Sequence, residues 1–274
     1  MSKVLEIGIV GCGAIGNSLA EAVSKDFLRE AKVSALYDLD YARSANLSRR
    51  LSGNTHLAVH NLETLINKSD LVIECASAKS SWEIAQKVIA CGRDIMIMST
   101  GGVTSHLKEL SVQAAKRKSK VYIPSGAIAG IDAVKAASIG KIKKVILTTR
   151  KNPLAFEGVK YVKDRNLNLA KIRKDKILFS GFAIQAVKYF PQNINVASVL
   201  SLAGIGPRKT LVQIIACPKV KRNIHEIRVE SEAGTIITRT ENVLHPKNPK
   251  TSFLAVLSAI ATLKQILASV EIGT

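Results

Sequence analysis

A glycine-rich hexapeptide, Gly11-Cys12-Gly13-Ala14-Ile15-Gly16, follows the β-branched run at residues 4–10 and opens a helical pattern of apolar residues. It has the G-x-G-x-x-G spacing in the strand–turn–helix context that is typical of dinucleotide-binding proteins. The first glycine permits a tight turn, the second lets the backbone approach a pyrophosphate, and the third lets the helix pack closely on the strand. The helix N-terminus adds free N–H groups that attract phosphate. The predicted cofactor contacts in this turn are Gly11, Gly13, Ala14, Ile15 and Gly16.

A carboxylate, Asp38, follows the second predicted strand at residues 32–37. It lies about 20 residues beyond the third glycine, where an acid accepts hydrogen bonds from the adenosine ribose hydroxyls. Such an acid also repels the 2′-phosphate of NADP. The alternative, an ordinary glycine turn in a sheet protein, leaves Asp38 unexplained. Because Arg43 lies close enough in sequence to attract a 2′-phosphate, the expected cofactor is NAD or NADP, with NAD favoured.

The first part of the chain alternates strand-like and helix-like segments as far as Pro124. This alternation predicts crossover connections and a parallel sheet. We therefore expect an α/β fold in which a Rossmann-type parallel sheet, with helices on both faces, occupies residues 1–124.

The pattern changes after Pro124. Three segments, at residues 210–216, 223–230 and 235–240, have the character of an antiparallel meander. We expect an α+β domain over residues 125–247 that binds the substrate, and its exposed sheet face favours a homodimer. A C-terminal helix is expected over residues 248–274, with Asn248 as its N-cap and Pro249 in its first turn.

The net charge of +19 and the pI near 9.9 raise the alternative of a nucleic-acid-binding protein. Lysine and arginine are spread along the chain, however, and only 4% of the residues are aromatic, which leaves few platforms for base stacking. We therefore expect no nucleic-acid partner. The charge is interpreted as a field that attracts an acidic substrate or a phosphate-bearing cofactor.

Other bulk features indicate where the protein works. No apolar run reaches the ~18–20 residues that span a bilayer, and the N-terminus enters a strand-like run without a signal segment. The four cysteines show no Cys-x-x-Cys spacing, so we expect small buried thiols rather than disulfides or metal ligands. These features favour a cytoplasmic protein with no membrane partner and no metal.

Several ordered segments beyond the hexapeptide carry a more specific similarity. They lie at residues 99–101, 124–133, 148–151, 191–197, 223–227 and 248–252. Through these segments, essentially the whole chain resembles the L-aspartate dehydrogenase family. The departures are Ala129, where members often carry glycine, and a lysine-rich stretch at residues 160–176 to which no function is assigned.

The resemblance implies that the chain oxidises L-aspartate to iminoaspartate with NAD or NADP. The imine then hydrolyses to oxaloacetate and ammonia or feeds NAD biosynthesis. By position, His225 matches the catalytic histidine of the family, and Ala127 and Asn195 match positions that contact the cofactor near the nicotinamide. Two alternatives stay open: a dehydrogenase of the same architecture that acts on homoserine, and a non-catalytic protein that senses NADH.

The residues around His225 support two interpretations. Alternation along residues 223–230 places His225 on the same strand face as Ile227 and Val229, which by itself favours a packed core histidine. Aspartate oxidation, however, requires the substrate ammonium to lose a proton, and imine hydrolysis requires an activated water. A histidine suits both tasks. The family match favours His225, and His106, which follows two glycines by a few residues, is the rival.

The two carboxylates of aspartate require cations or N–H donors. Arg150 and Lys151 follow a predicted strand end, and a solvated basic turn is their alternative interpretation. Lys250, near the start of the last predicted helix, is a further candidate cation. The other tentative substrate residues are Ser125, Gly126, Thr149 and Asn193. Helix capping is an alternative role for Asn193.

Overall fold

The computed structural model describes residues 3–190, 195–246 and 248–273. The chain divides into two compact units, of which the first comprises residues 1–124 and 259–271. The second comprises residues 125–258 and 272–274. Within the described residues, no helix has both the length and the apolar character needed to cross a membrane.

Five strands form one sheet in the first unit. They are β1 (Leu5–Val10), β2 (Ala31–Tyr37), β3 (Leu71–Glu74), β4 (Asp94–Ile97) and β5 (Val121–Tyr122). Their spatial order is β2-β1-β3-β4-β5, and every neighbouring pair is parallel. The strand order reverses at β1, so a topological switch point lies between β1 and β3. Open α/β sheets bind their ligands at the carboxyl edge beside such a point.

Helices cover both faces of this sheet. They are α1 (Ala14–Asp26), α2 (Tyr41–Ser52), α3 (Leu62–Asn67), α4 (Ser81–Ala90) and α5 (Leu107–Arg117), with a short 3₁₀ turn at Thr100–Gly102. Two hydrophobic clusters lie between the sheet and its helices, and alternate residues of a strand belong to different clusters. Ile73 belongs to the cluster that holds Leu19 of α1, whereas Val72 belongs to the cluster that holds Val88 of α4. The predicted Rossmann-type parallel sheet with helices on both faces is confirmed.

The second unit is an α+β domain, as predicted. Its strands are β6 (Ile142–Lys151), β7 (Lys176–Phe182), β8 (Leu211–Ala216), β9 (Asn223–Ser231) and β10 (Gly234–Asn242). Its helices are α6 (Ile131–Ala137), α7 (Lys160–Asp164), α8 (Ala183–Tyr189) and α9 (Asn195–Ala203), with 3₁₀ turns at Pro153–Phe156 and Leu169–Lys171. Leu147 of β6 and Ile227 of β9 share one buried cluster with Ala183 and Leu200, so one sheet face packs against helices.

The predicted antiparallel meander is only partly right. β9 and β10 form an antiparallel hairpin, but the sheet order is β10-β9-β6-β8-β7, so β6 separates β8 from β9. β6 is parallel to β8 and antiparallel to β9. It spans 10 residues, and Val145 and Leu147 within it are fully buried, which suits the central position of the sheet.

The prediction that the last helix begins at Asn248 and Pro249 is wrong. Asn248–Ser252 form a strand, β12, which pairs with β11 (Leu244–His245). The helix α10 begins only at Phe253 and ends at Leu267. The backbone N–H of Phe253 donates to the carbonyl of Val243 over 2.9 Å, which fixes the turn from strand into helix. Strand pairing, rather than a cap at Asn248, therefore sets the start of α10.

Candidate active site

The glycine turn between β1 and α1 has the geometry that its sequence predicts. Gly11 has a φ of +91°, and a Cβ placed there would lie 2.6 Å from the carbonyl oxygen of Cys75. A Cβ on Gly16 would overlap the carbonyl oxygen of Gly11, so α1 can approach β1 only because this residue lacks a side chain. A Cβ on Gly13 would meet nothing within 4 Å. The first and third glycines are thus required by packing, whereas the second leaves room for a ligand.

The N-terminus of α1 borders that free space. Gly13 is the N-cap residue and supplies no side-chain cap, and the half-buried Ala14 and Ile15 are the first residues of the helix. Uncapped N–H groups and the positive end of the helix dipole suit a pyrophosphate. The turn therefore fits the phosphates of a dinucleotide.

Asp38 follows β2 and is held by two backbone donors. The N–H of Cys12 donates to Oδ2 over 2.7 Å, and the N–H of Asp40 donates to Oδ1 over 3.0 Å. Each carboxylate oxygen can accept a further hydrogen bond, which leaves acceptors for ribose hydroxyls. Burial, together with the nearby Asp38 charge, raises the pKa of the Cys12 thiol to about 12, so this thiol stays protonated.

A cleft of about 360 Å³ opens beside the turn, within the size range of ligand sites. Its lining includes Gly11, Gly13, Asp38, Arg43, Ala76 and Ser77. The guanidinium of Arg43 thus borders the same cleft as the Asp38 carboxylate. Its Nε lies 3.4 Å from Oδ2 of Asp40. We name this space the dinucleotide cleft.

His225 lies on β9 of the second unit and is only 3% exposed. In the sheet register it stands opposite Thr149 of β6 on one side and Thr240 of β10 on the other. The Oγ1 of Thr149 lies 3.0 Å from Nδ1 of the imidazole. Burial, with a smaller contribution from the charge of Lys151, lowers the pKa of His225 to about 3. The imidazole is therefore neutral.

The cations after Thr149 lie on opposite faces of β6. Lys151 shares the face of Thr149 and His225, is only 6% exposed, and has its pKa lowered to about 8 by burial. Arg150 lies on the opposite face of β6, where it forms an ion pair with Glu226. The carboxylate of Glu226 also binds Nη1 of Arg239 over 2.7 Å. Of the two candidate cations, only Lys151 is brought together with His225. Neither belongs to a solvated turn, because both are part of a central strand.

The loop after Pro124 is bonded to the strand that flanks His225. The N–H of Gly126 donates to Oγ of Ser258 over 3.0 Å. The carbonyl of Ala127 accepts from Oγ1 of Thr240 over 3.0 Å and from Nδ2 of Asn242 over 2.9 Å. The bonds to Ala127 hold the loop of residues 125–127 against β10, and the bond from Gly126 attaches it to α10. Neither Thr240 nor Asn242 was predicted from the sequence, although strand alternation places both on the inward face of β10.

The remaining candidate site residues either lie on other elements or belong to the part of the chain that the structure does not describe. Asn195 is the first residue of α9 and is exposed, whereas Asn193 and the side chain of Lys250 fall outside the described residues. Lys250 itself lies in β12, not at a helix N-terminus. His106 belongs to the first unit and stacks on Trp82 with ring centroids 4.4 Å apart. The rival histidine thus has a half-exposed surface position.

Comparison with known proteins gives one consistent result. Residues 132–266 match the family described as aspartate dehydrogenase, C-terminal, and residues 11–124 match the homoserine dehydrogenase NAD binding domain. The L-aspartate dehydrogenases of Methanococcoides burtonii and Methanocaldococcus jannaschii are 44% and 38% identical to this chain. Each comparison covers 99% of this chain and 100% of the relative.

Solved structures extend the comparison to the fold. The aspartate dehydrogenase of Thermotoga maritima is 25% identical, with a TM-score of 0.74, and the match covers 99% of this chain and 100% of that one. A homoserine dehydrogenase from Thiobacillus denitrificans is 13% identical, with a TM-score of 0.65 over 97% of this chain and 73% of that one. The second similarity concerns the fold alone.

Replacing Asp38 with alanine tests the dinucleotide cleft. Loss of the ribose acceptor should raise the Kd of NADH by about 10-fold or more, since hydrogen bonds to charged groups contribute about 1.5–3 kcal/mol. The Kd of NADPH should change less, because the carboxylate no longer repels its 2′-phosphate. Fluorescence titration of both nucleotides measures the two constants. If neither the Kd of NADH nor the Kd of NADPH changed, Asp38 would not be part of the cofactor site.

Proposed function

The chain belongs to the L-aspartate dehydrogenase family, and we propose on that premise that it oxidises the α-amine of L-aspartate with NAD or NADP. The product is iminoaspartate, which feeds NAD biosynthesis or hydrolyses to oxaloacetate and ammonia. The observation that carries the proposal is the buried group formed by His225, Thr149 and Lys151 on one sheet face. It offers a neutral base and a cation, the two groups that an amino dicarboxylate requires.

In this proposal, His225 moves the proton. In the tautomer whose Nδ1–H donates to Oγ1 of Thr149, Nε2 is left to take a proton from the substrate ammonium. The freed nitrogen lone pair forms the C=N bond as hydride leaves Cα. A nicotinamide dinucleotide held at the glycine turn and Asp38 of the first unit would supply the acceptor for that hydride. Once Nε2 has released that proton to solvent, its lone pair can accept a proton from the water that hydrolyses the imine.

Lys151 binds a substrate carboxylate. Its ammonium lies on the His225 face of β6, and its charge contributes to the low pKa of the imidazole. A carboxylate paired with Lys151 offsets that charge and so makes His225 more basic once aspartate is bound. Substrate binding thereby activates the base. Ser125, Gly126 and Asn193 remain predictions as substrate contacts, and Ala127 and Asn195 remain predictions as cofactor contacts.

The wild-type chain should form NADH with L-aspartate and not with homoserine or glutamate. His225→Ala should lower kcat by about 10²–10⁴-fold, the usual contribution of a positioned proton-transfer group, and leave the Kd of NADH unchanged. His106→Ala is the matched control and should keep wild-type turnover. NADH binding without turnover of any amino acid would instead support the sensor alternative, and wild-type kcat in His225→Ala would exclude this base.

A pH titration tests Lys151. Because its pKa is lowered to about 8, the ammonium is lost as pH rises through that value. The inhibition constant of succinate, a dicarboxylate without the amine, should therefore rise above pH 8. Lys151→Met should bind succinate about 10-fold more weakly at pH 7 and lose this pH dependence.

Arg150→Met is the matched control for the Lys151 experiment. It removes a cation from the neighbouring residue on the opposite face of β6 and should leave succinate inhibition unchanged. If Arg150→Met weakened succinate binding and Lys151→Met did not, the assignment of the two cations would be reversed.

We further propose a homodimer through the face of the second sheet that carries Arg150, Glu226 and Arg239, opposite the face on which α8 and α9 pack. Ile177 and Ile237 on this face are 57% and 66% exposed, and they flank the ion pairs of Glu226 with Arg150 and Arg239. The face therefore carries cations, anions and exposed apolar side chains together, the mixture from which a self-complementary two-fold interface can be built. Light scattering should give twice the chain mass of 29.5 kDa. Ile237→Glu should shift the protein to the monomer, and a wild-type monomer at micromolar concentration would contradict the dimer.

A further inference from the structure

Glu74 is a buried carboxylate that the proposed chemistry does not use. It is the last residue of β3 and is 0% exposed. Parallel pairing places it beside Val10 at the end of β1 and Ile97 at the end of β4. Burial raises the pKa of its carboxyl, and a hydrogen bond from the backbone of Ser99 acts in the opposite direction. A buried carboxylate is unfavourable unless it is hydrogen-bonded, so its partners explain why it is retained.

The two oxygens of Glu74 bind different loops. The N–H of Ala76 donates to Oε1 over 2.8 Å, and the N–H of Ser99 donates to Oε2 over 2.9 Å. One carboxylate thus joins the loop after β3 to the loop after β4 at the carboxyl edge of the sheet. Ser81 adds a second link, because its Oγ donates to the carbonyl of Ser99 over 3.1 Å.

The first of these loops is part of the dinucleotide cleft. Ala76 and Ser77 line the cleft, and the carbonyl of Cys75 lies where a Cβ on Gly11 would collide with it. The position of residues 75–77 therefore fixes one wall of the space beside the glycine turn. This wall stands at the switch point between β1 and β3, where a dinucleotide is expected to bind.

We infer that Glu74 is a positioning residue for the dinucleotide, which it serves by holding the loops after β3 and β4 in place through both carboxylate oxygens. The inference rests on the cofactor part of the proposed function and not on aspartate chemistry. A glutamine at position 74 keeps the shape of the side chain but presents an NH₂ group to one of the two backbone N–H donors. Two donors cannot bond to each other, so one loop must move.

Glu74→Gln should raise the Kd of NADH by about 10-fold or more. At saturating cofactor and substrate, kcat should stay within about threefold of wild type, because the groups that move protons belong to the second unit. Asp94→Asn is the matched control, since Oδ1 of Asp94 accepts the N–H of Lys120 over 2.8 Å at the start of β4, away from the carboxyl edge. This control should bind NADH as wild type does.

The measurement is a fluorescence titration with NADH on protein whose fold is checked by circular dichroism. Glu74→Asp, which keeps the charge but is too short to reach both loops, gives a second reading and should also bind NADH more weakly. If both variants were less heat-stable but bound NADH within twofold of wild type, Glu74 would be structural only and the inference overturned. Wild-type NADH binding without aspartate turnover would contradict the proposed function and leave the Glu74 result valid.

Discussion

The structure depends on a steric constraint between two glycines. α1 must begin within a few residues of the end of β1, and a side chain at Gly16 would overlap the carbonyl of Gly11. Because neither residue carries one, the helix starts directly at the carboxyl edge of the sheet, with its N–H groups facing open space at Gly13. That placement brings the phosphate-binding helix end, Asp38 and the loop after β3 around one cleft.

The second unit uses burial to adjust charge. Its sheet holds a neutral imidazole and an amine of lowered pKa on the buried face that also carries Leu147 and Ile227. Low-dielectric surroundings disfavour both charged forms, which keeps the His225 imidazole neutral and lowers the pKa of Lys151. The charged side chains Arg150, Glu226 and Arg239 occupy the other face, where solvent or a second copy can reach them. The two faces of β6 thus carry different groups: Thr149 and Lys151 on the buried face and Arg150 on the other.

The sequence predicts the local features well and the long-range ones poorly. The glycine turn, the position of Asp38 and the inward face of His225 follow from short-range rules of turn geometry and strand alternation. Strand neighbours do not, because pairing depends on competition between distant segments, and β6 could not be placed between β8 and β9. The order of Arg150 and Lys151 in the sequence does not show which of them shares a sheet face with His225. That assignment also needs the register of β6 against β9. Glu74 carries no local signal, since a single acid at a strand end is common on protein surfaces.

The central claim is hydride transfer from Cα of aspartate to a nicotinamide held by the first unit. The direct measurement uses L-aspartate with deuterium at C2 and analyses the reduced cofactor by mass spectrometry. The account predicts NADH that is one mass unit heavier, and unlabelled NADH when the deuterium is at C3 instead. Unlabelled NADH from the C2-deuterated substrate, or no NADH at all, would contradict it.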